Sequence, residues 1–299
     1  MNRIMVYGAV AACLAVVPAL AQDADLIAPN AQLEVVGEGF SFTEGPAVAE
    51  DGSVYFTDVR ESRIHHWRAG AEITLYREET GGANGLFFDL DGNLVACEGD
   101  NGRVTAISPG GEVNVLAGAY NGDRFNRPND LWIHPDGGIY FTDPNYGRSD
   151  LSQDGEHVYF IALGGKVTRV TENLVRPNGL IGTPDGETLY IADAGDGKTW
   201  RYTVQDDGTL TDKTLFVESG SDGMTMDARG NIYLTSGAVV VYSPAGAELA
   251  EVECPESPTN VTFAGAEGKT LFITARSVVC TLNMVVPGAT SAGWVLSRD

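Results

Sequence analysis

Residues 129–143 read NDLWIHPDGGIYFTD: an amide side chain, an apolar run, an Asp-Gly turn at Gly137, and a second apolar run ending on a carboxylate. The same plan recurs as EGPAVAEDG-SVYFTD, NGLFFDLDG-NLVACEG, NGLIGTPDG-ETLYIAD, DGMTMDARG-NIYLTS and NVTFAGAEG-KTLFITA. In all six copies an oxygen-bearing residue stands eight positions before the turn glycine. These residues are Glu44, Asn84, Asn129, Asn178, Asp222 and Asn260, before Gly52, Gly92, Gly137, Gly186, Gly230 and Gly268. Alternating β-branched and aromatic residues punctuated by Gly and Asp predict strand, turn, strand, and long helical periodicity is absent. Spacings of 40, 45, 49, 44 and 38 residues between the glycines fit four-stranded propeller blades. The chain is therefore expected to be all-β, a six-bladed β-propeller with a metal site in its central channel.

One fixed offset in six copies predicts that the six side chains converge on the propeller axis. Asn-Gly and Asp-Gly are also common turn dipeptides, and three of the six positions carry one. Glu44-Gly45-Pro46 and Asn129-Asp130 do not resemble copies of one turn, which favours the convergent reading. Six oxygen donors, two of them carboxylates, with no nitrogen or sulfur ligand, suit a hard divalent cation. Ca²⁺ comes first, with Mg²⁺, Mn²⁺ or Zn²⁺ behind it. Positions on the ion not filled by protein would take water or substrate.

The first residues differ from the rest. Arg3, an apolar run to Leu20 and Ala19-Leu20-Ala21 before Gln22 describe a signal peptide over 1–21, too short to favour a transmembrane span. A short linker over 22–32 and a propeller over 33–299 are expected to follow. LEVVGEGFSF before the first repeat is expected to close the ring as an outer strand of the last blade, with WVLSRD near residue 299 as its partner. The mature protein is expected to be periplasmic or secreted, without membrane insertion.

Removal of Arg3 leaves 18 basic against 41 acidic side chains. Such a balance repels nucleic acid and anionic lipid, whose binding needs Lys and Arg. Cys97, Cys254 and Cys280 remain, an odd number without zinc spacing. Cys97 occupies the place of Thr57, Thr142 and Thr235 and reads as a packed thiol; Cys254 with Cys280 is the only pair worth testing for a disulfide. A Ser-His-Asp hydrolase needs a histidine base, but no G-x-S-x-G occurs, His134 falls at a variable repeat position, and His65-His66 reads as an exposed strand pair. Phosphate-cradling glycine motifs are absent as well.

EGPAV, RPNDLWIHPDG-x-IYFTDPNYG, RPNGL-x-x-x-PDG-x-TLYIAD and SDGMTMDARGNIYL together resemble the senescence-marker-protein/gluconolactonase/luciferin-regenerating-enzyme-like family, which includes regucalcin-like lactonases. The resemblance covers nearly the whole chain after the leader. It implies a six-bladed propeller with one catalytic divalent metal that hydrolyses sugar lactones such as glucono-1,5-lactone. By motif, the metal ligands implied are Glu44, Asn129, Asn178 and Asp222, with Asp222 also the proton donor or acceptor. Arg127 matches the arginine expected to bind substrate oxygens, and Asn129 would share in that contact. Asn84 and Asn260 are implied as supporting or substrate-contacting residues. Asp143 and Tyr146 of FTDPNYG lie one strand from the ring and read as residues of the mouth, with a buried hydrogen-bonding role as the alternative for Asp143. Many members place a histidine after Cys-Glu in the second repeat, where this chain has Cys97-Glu98-Gly99-Asp100. Two alternatives stay open: a hydrolase of another carboxylic or organophosphate ester, and a calcium- or protein-binding propeller without activity. Arg127 beside the ring favours an enzyme, because a structural ion needs no substrate-orienting cation nearby.

Overall fold

The computed structural model describes residues 26–147 and 150–289, and every regular element in them is a strand of at least two residues. The leader over 1–21 and the WVLSRD segment lie outside the described residues. The third repeat forms an antiparallel meander of Leu131–Ile133, Ile139–Asp143, His157–Ile161 and Val167–Thr171. Three further four-stranded sheets begin with Ala83–Phe88, Pro177–Gly182 and Met224–Met226. A six-stranded sheet joins the two ends of the described chain through the long strands Glu34–Val48 and Thr270–Asn283. The first strands of successive repeats are neighbours in order, and the last, Asn260–Ala264, packs back against Glu34–Val48. The sheets thus stand in a propeller-like ring.

The repeat turns explain their glycines. In the second repeat the Gly92 N–H donates to the Asp89 carbonyl at 3.1 Å, and Gly92 sits at φ 81°. The other five repeat glycines share the positive φ that a four-residue turn requires at its last position. Apolar side chains of each sheet pack on the next; Tyr140, Phe141, Tyr159, Phe56, Phe263 and Phe272 are fully enclosed.

Glu34–Glu38 pairs with Val278–Thr281, so LEVVG does close the ring sheet, against the end of the last repeat. The described part of the expected linker is docked: Leu26 is buried, and its carbonyl accepts the Val285 N–H at 2.8 Å. His65 and His66 are not an exposed pair. His65 packs against Phe40 and Phe56, and His66 stacks on Tyr55. His134 is half-buried, with its Nε2 3.2 Å from the Gly186 carbonyl, so it ties one repeat turn to the next. Cys97 is fully buried, and burial holds its thiol well above the usual range, as a packed residue requires. Cys254 and Cys280 stand as thiols, each raised by burial.

Gly92→Ala tests the turn constraint cleanly, because a β-carbon at Gly92 would meet nothing within 4 Å. The left-handed backbone alone should cost about 1–2 kcal/mol, and calorimetry should record a melting temperature lower by about 2–4 °C per kcal/mol. An unchanged melting temperature would show that the turn does not need that conformation.

Candidate active site

Of the six offset residues, Asn260 starts the first strand of its repeat, Glu44, Asn84 and Asn178 lie within theirs, and Asn129 and Asp222 stand two residues before theirs. They meet at one end of the ring because the strands around the axis touch almost backbone to backbone. The Gly85 N–H donates to the Asn129 carbonyl at 2.7 Å, and a β-carbon on Gly85 would lie 2.6 Å from that same oxygen. A β-carbon on Gly179 would lie 2.7 Å from the Asp222 carbonyl. The Asn-Gly dipeptides are therefore spacers that let neighbouring sheets close on the axis, not copies of one turn.

Three aspartates fix the approach to this end. Asp58, Asp143 and Asp193 close the second strands of their sheets, and each accepts two consecutive backbone N–H groups. Asp143 takes Asn126 and Arg127 at 2.8 Å each; Asp58 takes Ser41 and Phe42; Asp193 takes Val175 and Arg176. The clamped pairs lie two and three residues before Glu44, Asn129 and Asn178, so each carboxylate sets where an offset side chain emerges. Asp143 is thus a buried positioning group and does not line the mouth. Threonines at the sequence position that Cys97 shares add a second fastening: the Thr57 hydroxyl donates to the Asn84 carbonyl at 3.0 Å, and the Thr235 hydroxyl accepts the Gly223 N–H at 2.8 Å.

A cavity of about 350 Å³ opens at this end, and Glu44, Asn84, Arg127, Asn129, Tyr146 and Asp222 all contribute to its wall. Asn178 stands just outside that wall. Its Nδ2 donates to the Tyr146 hydroxyl at 2.9 Å and to Asp222 Oδ1 at 2.7 Å, which leaves Oδ1 as its remaining donor atom for a cation. The structure therefore brings together all seven residues singled out in the sequence. Asn260 lies deeper, where its Nδ2 reaches Asp130 Oδ2 at 3.4 Å and its amide also bonds Glu44. Asp130, Leu131, Leu180 and Met224 line a second, smaller cavity of about 40 Å³.

The electrostatics are strained in one direction. Burial, then the nearby Asp222 and Asp130 charges, hold the Glu44 carboxyl well above the usual range. Burial likewise pushes Asp130 up to about 7 and Asp222 up to about 6, the latter opposed by the Asn178 hydrogen bond and by Arg276. Burial keeps the Tyr146 phenol protonated far above neutrality, so it can donate into the cavity while accepting from Asn178. Asn84 Oδ1 is buried without a hydrogen-bond partner, a costly state unless something binds it. Among the described residues no three His, Cys, Asp or Glu side chains group as cation ligands. The donor set is nevertheless all oxygen, half of it amide, and it fits a hard cation: the carboxylates crowd one another and Asn84 Oδ1 has no partner.

Arg127 is held from both sides. Its Nη1 donates to the Tyr146 carbonyl at 3.0 Å, and its Nη2 meets Asp100 Oδ1 at 2.6 Å. Asp100 belongs to the Cys97-Glu98-Gly99-Asp100 stretch, so the loop that departs from the family pattern braces the arginine. Glu98 is taken up by Asn101, Arg103 and Thr105. Sequence reading missed Arg60 and Phe42 in the cavity wall, and Asp130 beneath it. Arg60 follows the second strand of its sheet, and in an antiparallel pair that places it at the same end as Glu44; this was the available signal.

Comparisons with known proteins agree with the geometry. The family model for the SMP-30/Gluconolactonase/LRE-like region matches residues 42–277. A gluconolactonase of Zymomonas mobilis is 27% identical over 81% of this chain and 78% of its own. A pentonolactonase of Haloferax volcanii is 28% identical over 80% of this chain and 83% of its own. The solved structure of a gluconolactonase from Xanthomonas campestris superposes with a TM-score of 0.81 at 30% identity, covering 86% of this chain and 91% of that one.

The carboxyls shifted upward by burial predict an inverted pH dependence in chelator. The native protein keeps protons on Glu44, Asp130, Asp143 and Asp222 that the unfolded chain has released, so the stability these four groups contribute is present near pH 4 and is lost as pH rises towards 7. Thermal melts from pH 4.5 to 7.5 (roughly the window set by these shifts) should show the melting temperature dropping by several degrees; a rise across that range would refute the buried-carboxyl account. From the match over most of its length and from the ring it folds into, the chain belongs to the SMP-30/gluconolactonase/LRE-like family.

Proposed function

We propose that this protein is a metal-dependent sugar lactonase, built as a six-bladed propeller whose six-stranded sheet counts as two blades sharing the long strands. Hydrolysis of a sugar lactone is the activity of the chain, as the gluconolactonase and pentonolactonase relatives support. The observation that carries the reading is the single cavity in which two carboxyls, the Asn84 and Asn129 amides, Tyr146 and Arg127 meet at the end of the axis. A leader-like segment over 1–21 supports an exported protein whose propeller begins near residue 33.

Glu44, Asn129, Asn178 and Asp222 would hold a divalent cation, Ca²⁺ before Mg²⁺, Mn²⁺ or Zn²⁺. Such a cation, when bound, polarises the lactone carbonyl and offsets the charge that develops on its oxygen. The remaining steps belong to the chain. Arg127, braced by Asp100, and Tyr146, a phenol donor, orient the hydroxyls and carbonyl of the lactone. Asp222 takes a proton from the attacking water and returns it to the ring oxygen as the ester bond breaks. Asn178 restrains Asp222 through its 2.7 Å hydrogen bond, so the carboxylate keeps one oxygen available for the transfer.

Asp222→Asn should lower kcat for glucono-1,5-lactone by about 10²–10⁴ while leaving the fold intact, as circular dichroism would verify; retained turnover would remove Asp222 from proton transfer. Glu44→Gln should raise the Ca²⁺ concentration needed for half-maximal activity by about tenfold or more, since each 1.4 kcal/mol lost is a factor of ten. An unchanged requirement would exclude Glu44 as a ligand.

A further inference from the structure

The cavity wall contains a cation that the reaction just described does not use. Arg60 is exposed at the mouth, and its guanidinium lies 5.1 Å over the Phe42 ring. Among the described residues no carboxylate lies within ion-pair distance of it, although Glu44 and Asp222 line the same cavity. Arg127 stands in the same wall, Arg176 lies 5.2 Å over the Tyr146 ring, and Arg276 is near enough to Asp222 to favour its ionised form. Four arginines thus gather at one end of a chain with 19 basic and 41 acidic side chains. Arg127 is paired with Asp100 and Arg176 with Glu156, whereas Arg60 is left without a carboxylate, and a neutral lactone gives it nothing to neutralise.

From this we infer that the mouth selects a sugar lactone bearing a carboxylate on its exocyclic carbon, held by Arg60 with support from Arg127. The inference rests on the lactonase reading above and names its substrate class. Carbonyl chemistry is directed to the deep end, where Glu44, Asn129 and Asp222 lie, and the remote carboxylate is left at the rim. A guanidinium suits that role: its planar fork matches the two oxygens of a carboxylate, and the Phe42 ring beneath it limits its orientation. Arg127 is already braced by Asp100, so it offers a fixed edge, whereas Arg60 has no ion pair to break before binding.

The test compares glucono-1,5-lactone with the monolactone of glucaric acid, which differs by a carboxylate in place of the exocyclic hydroxymethyl, in protein supplied with Ca²⁺. Charge-assisted hydrogen bonds of this kind are worth about 10–100-fold, so kcat/KM should favour the carboxylated lactone by that factor. The preference should shrink as NaCl is raised. In Arg60→Gln the ratio of the two kcat/KM values should fall about tenfold or more, chiefly through KM of the charged lactone, and Arg60→Lys should restore part of it. Equal use of both lactones by the wild type, or a loss of equal size on both in Arg60→Gln, would overturn the inference. A larger preference for a lactone carrying a sulfonate would overturn the carboxylate assignment. Calorimetric binding of glucarate against gluconate separates this failure from failure of the lactonase reading. If no lactone is hydrolysed but glucarate binds more tightly in an Arg60-dependent way, the anion site stands and the lactonase reading falls; if neither is seen, both fall.

Discussion

At the axis, neighbouring strands approach more closely than a β-carbon would permit at Gly85 and Gly179. That contact sets the rest of the molecule. Strand starts that touch through backbone can present only the side chain just before each spacer, and they present Glu44, Asn84, Asn129 and Asp222 to one cavity, with Asn260 deeper. The amide of Gly85 is satisfied by the Asn129 carbonyl of the adjacent sheet, so the ring is stitched by hydrogen bonds as well as by packing. Where a spacer is replaced, as at Asp130 and Val261, the residue lines the second, smaller cavity. A site made this way has rigid walls, which is what preorganised charge stabilisation requires.

Around this centre the chain spends its buried polarity on positioning. Each of Asp58, Asp143 and Asp193 satisfies two backbone donors that would otherwise be lost in the interior, where an unmet group costs about 1–3 kcal/mol. The Thr57 hydroxyl ties one sheet to the next by donating to the Asn84 carbonyl, and the Thr235 hydroxyl accepts the Gly223 N–H within its own sheet. These contacts hold Glu44, Asn129 and Asn178 in place without touching a ligand. The carboxyls left for the cavity hold no such pair of backbone donors, and burial, the largest cause, holds them above the usual range.

The fold class and the converging residues were legible because both depend on spacing. Eight residues from oxygen to glycine is one strand plus one turn, and a turn glycine at positive φ tolerates little replacement. The role of Gly85 and Gly179 was not legible, since an Asn-Gly pair looks the same whether it turns a chain or admits a neighbour. Arg60 escaped notice because it lies in a loop, outside any repeat offset. Its relevance depends on which loop faces the mouth, a property of three-dimensional direction. The histidine pair was misjudged for a related reason: at strand positions the side facing inward is set by the neighbouring sheet, and Phe40 and Phe56 draw His65 in. The pairing of LEVVG with Thr270–Asn283 joins segments more than 230 residues apart, a long-range contact that local propensity does not reveal.

The six-stranded sheet contains segments separated by most of the chain: the Thr43 hydroxyl donates to the Val278 carbonyl across 235 residues. The ring is therefore complete only after its last repeat exists, and every inner strand before it waits with one flank open. Closing so long a loop costs only slightly more than closing one half its length, because the penalty grows with the logarithm of length. Its effect falls on time rather than on equilibrium: folding of so non-local a topology is slow, and apolar sheet edges stay exposed until the two segments find each other. The same seam that makes the finished cavity rigid gives the nascent chain a long interval of vulnerability.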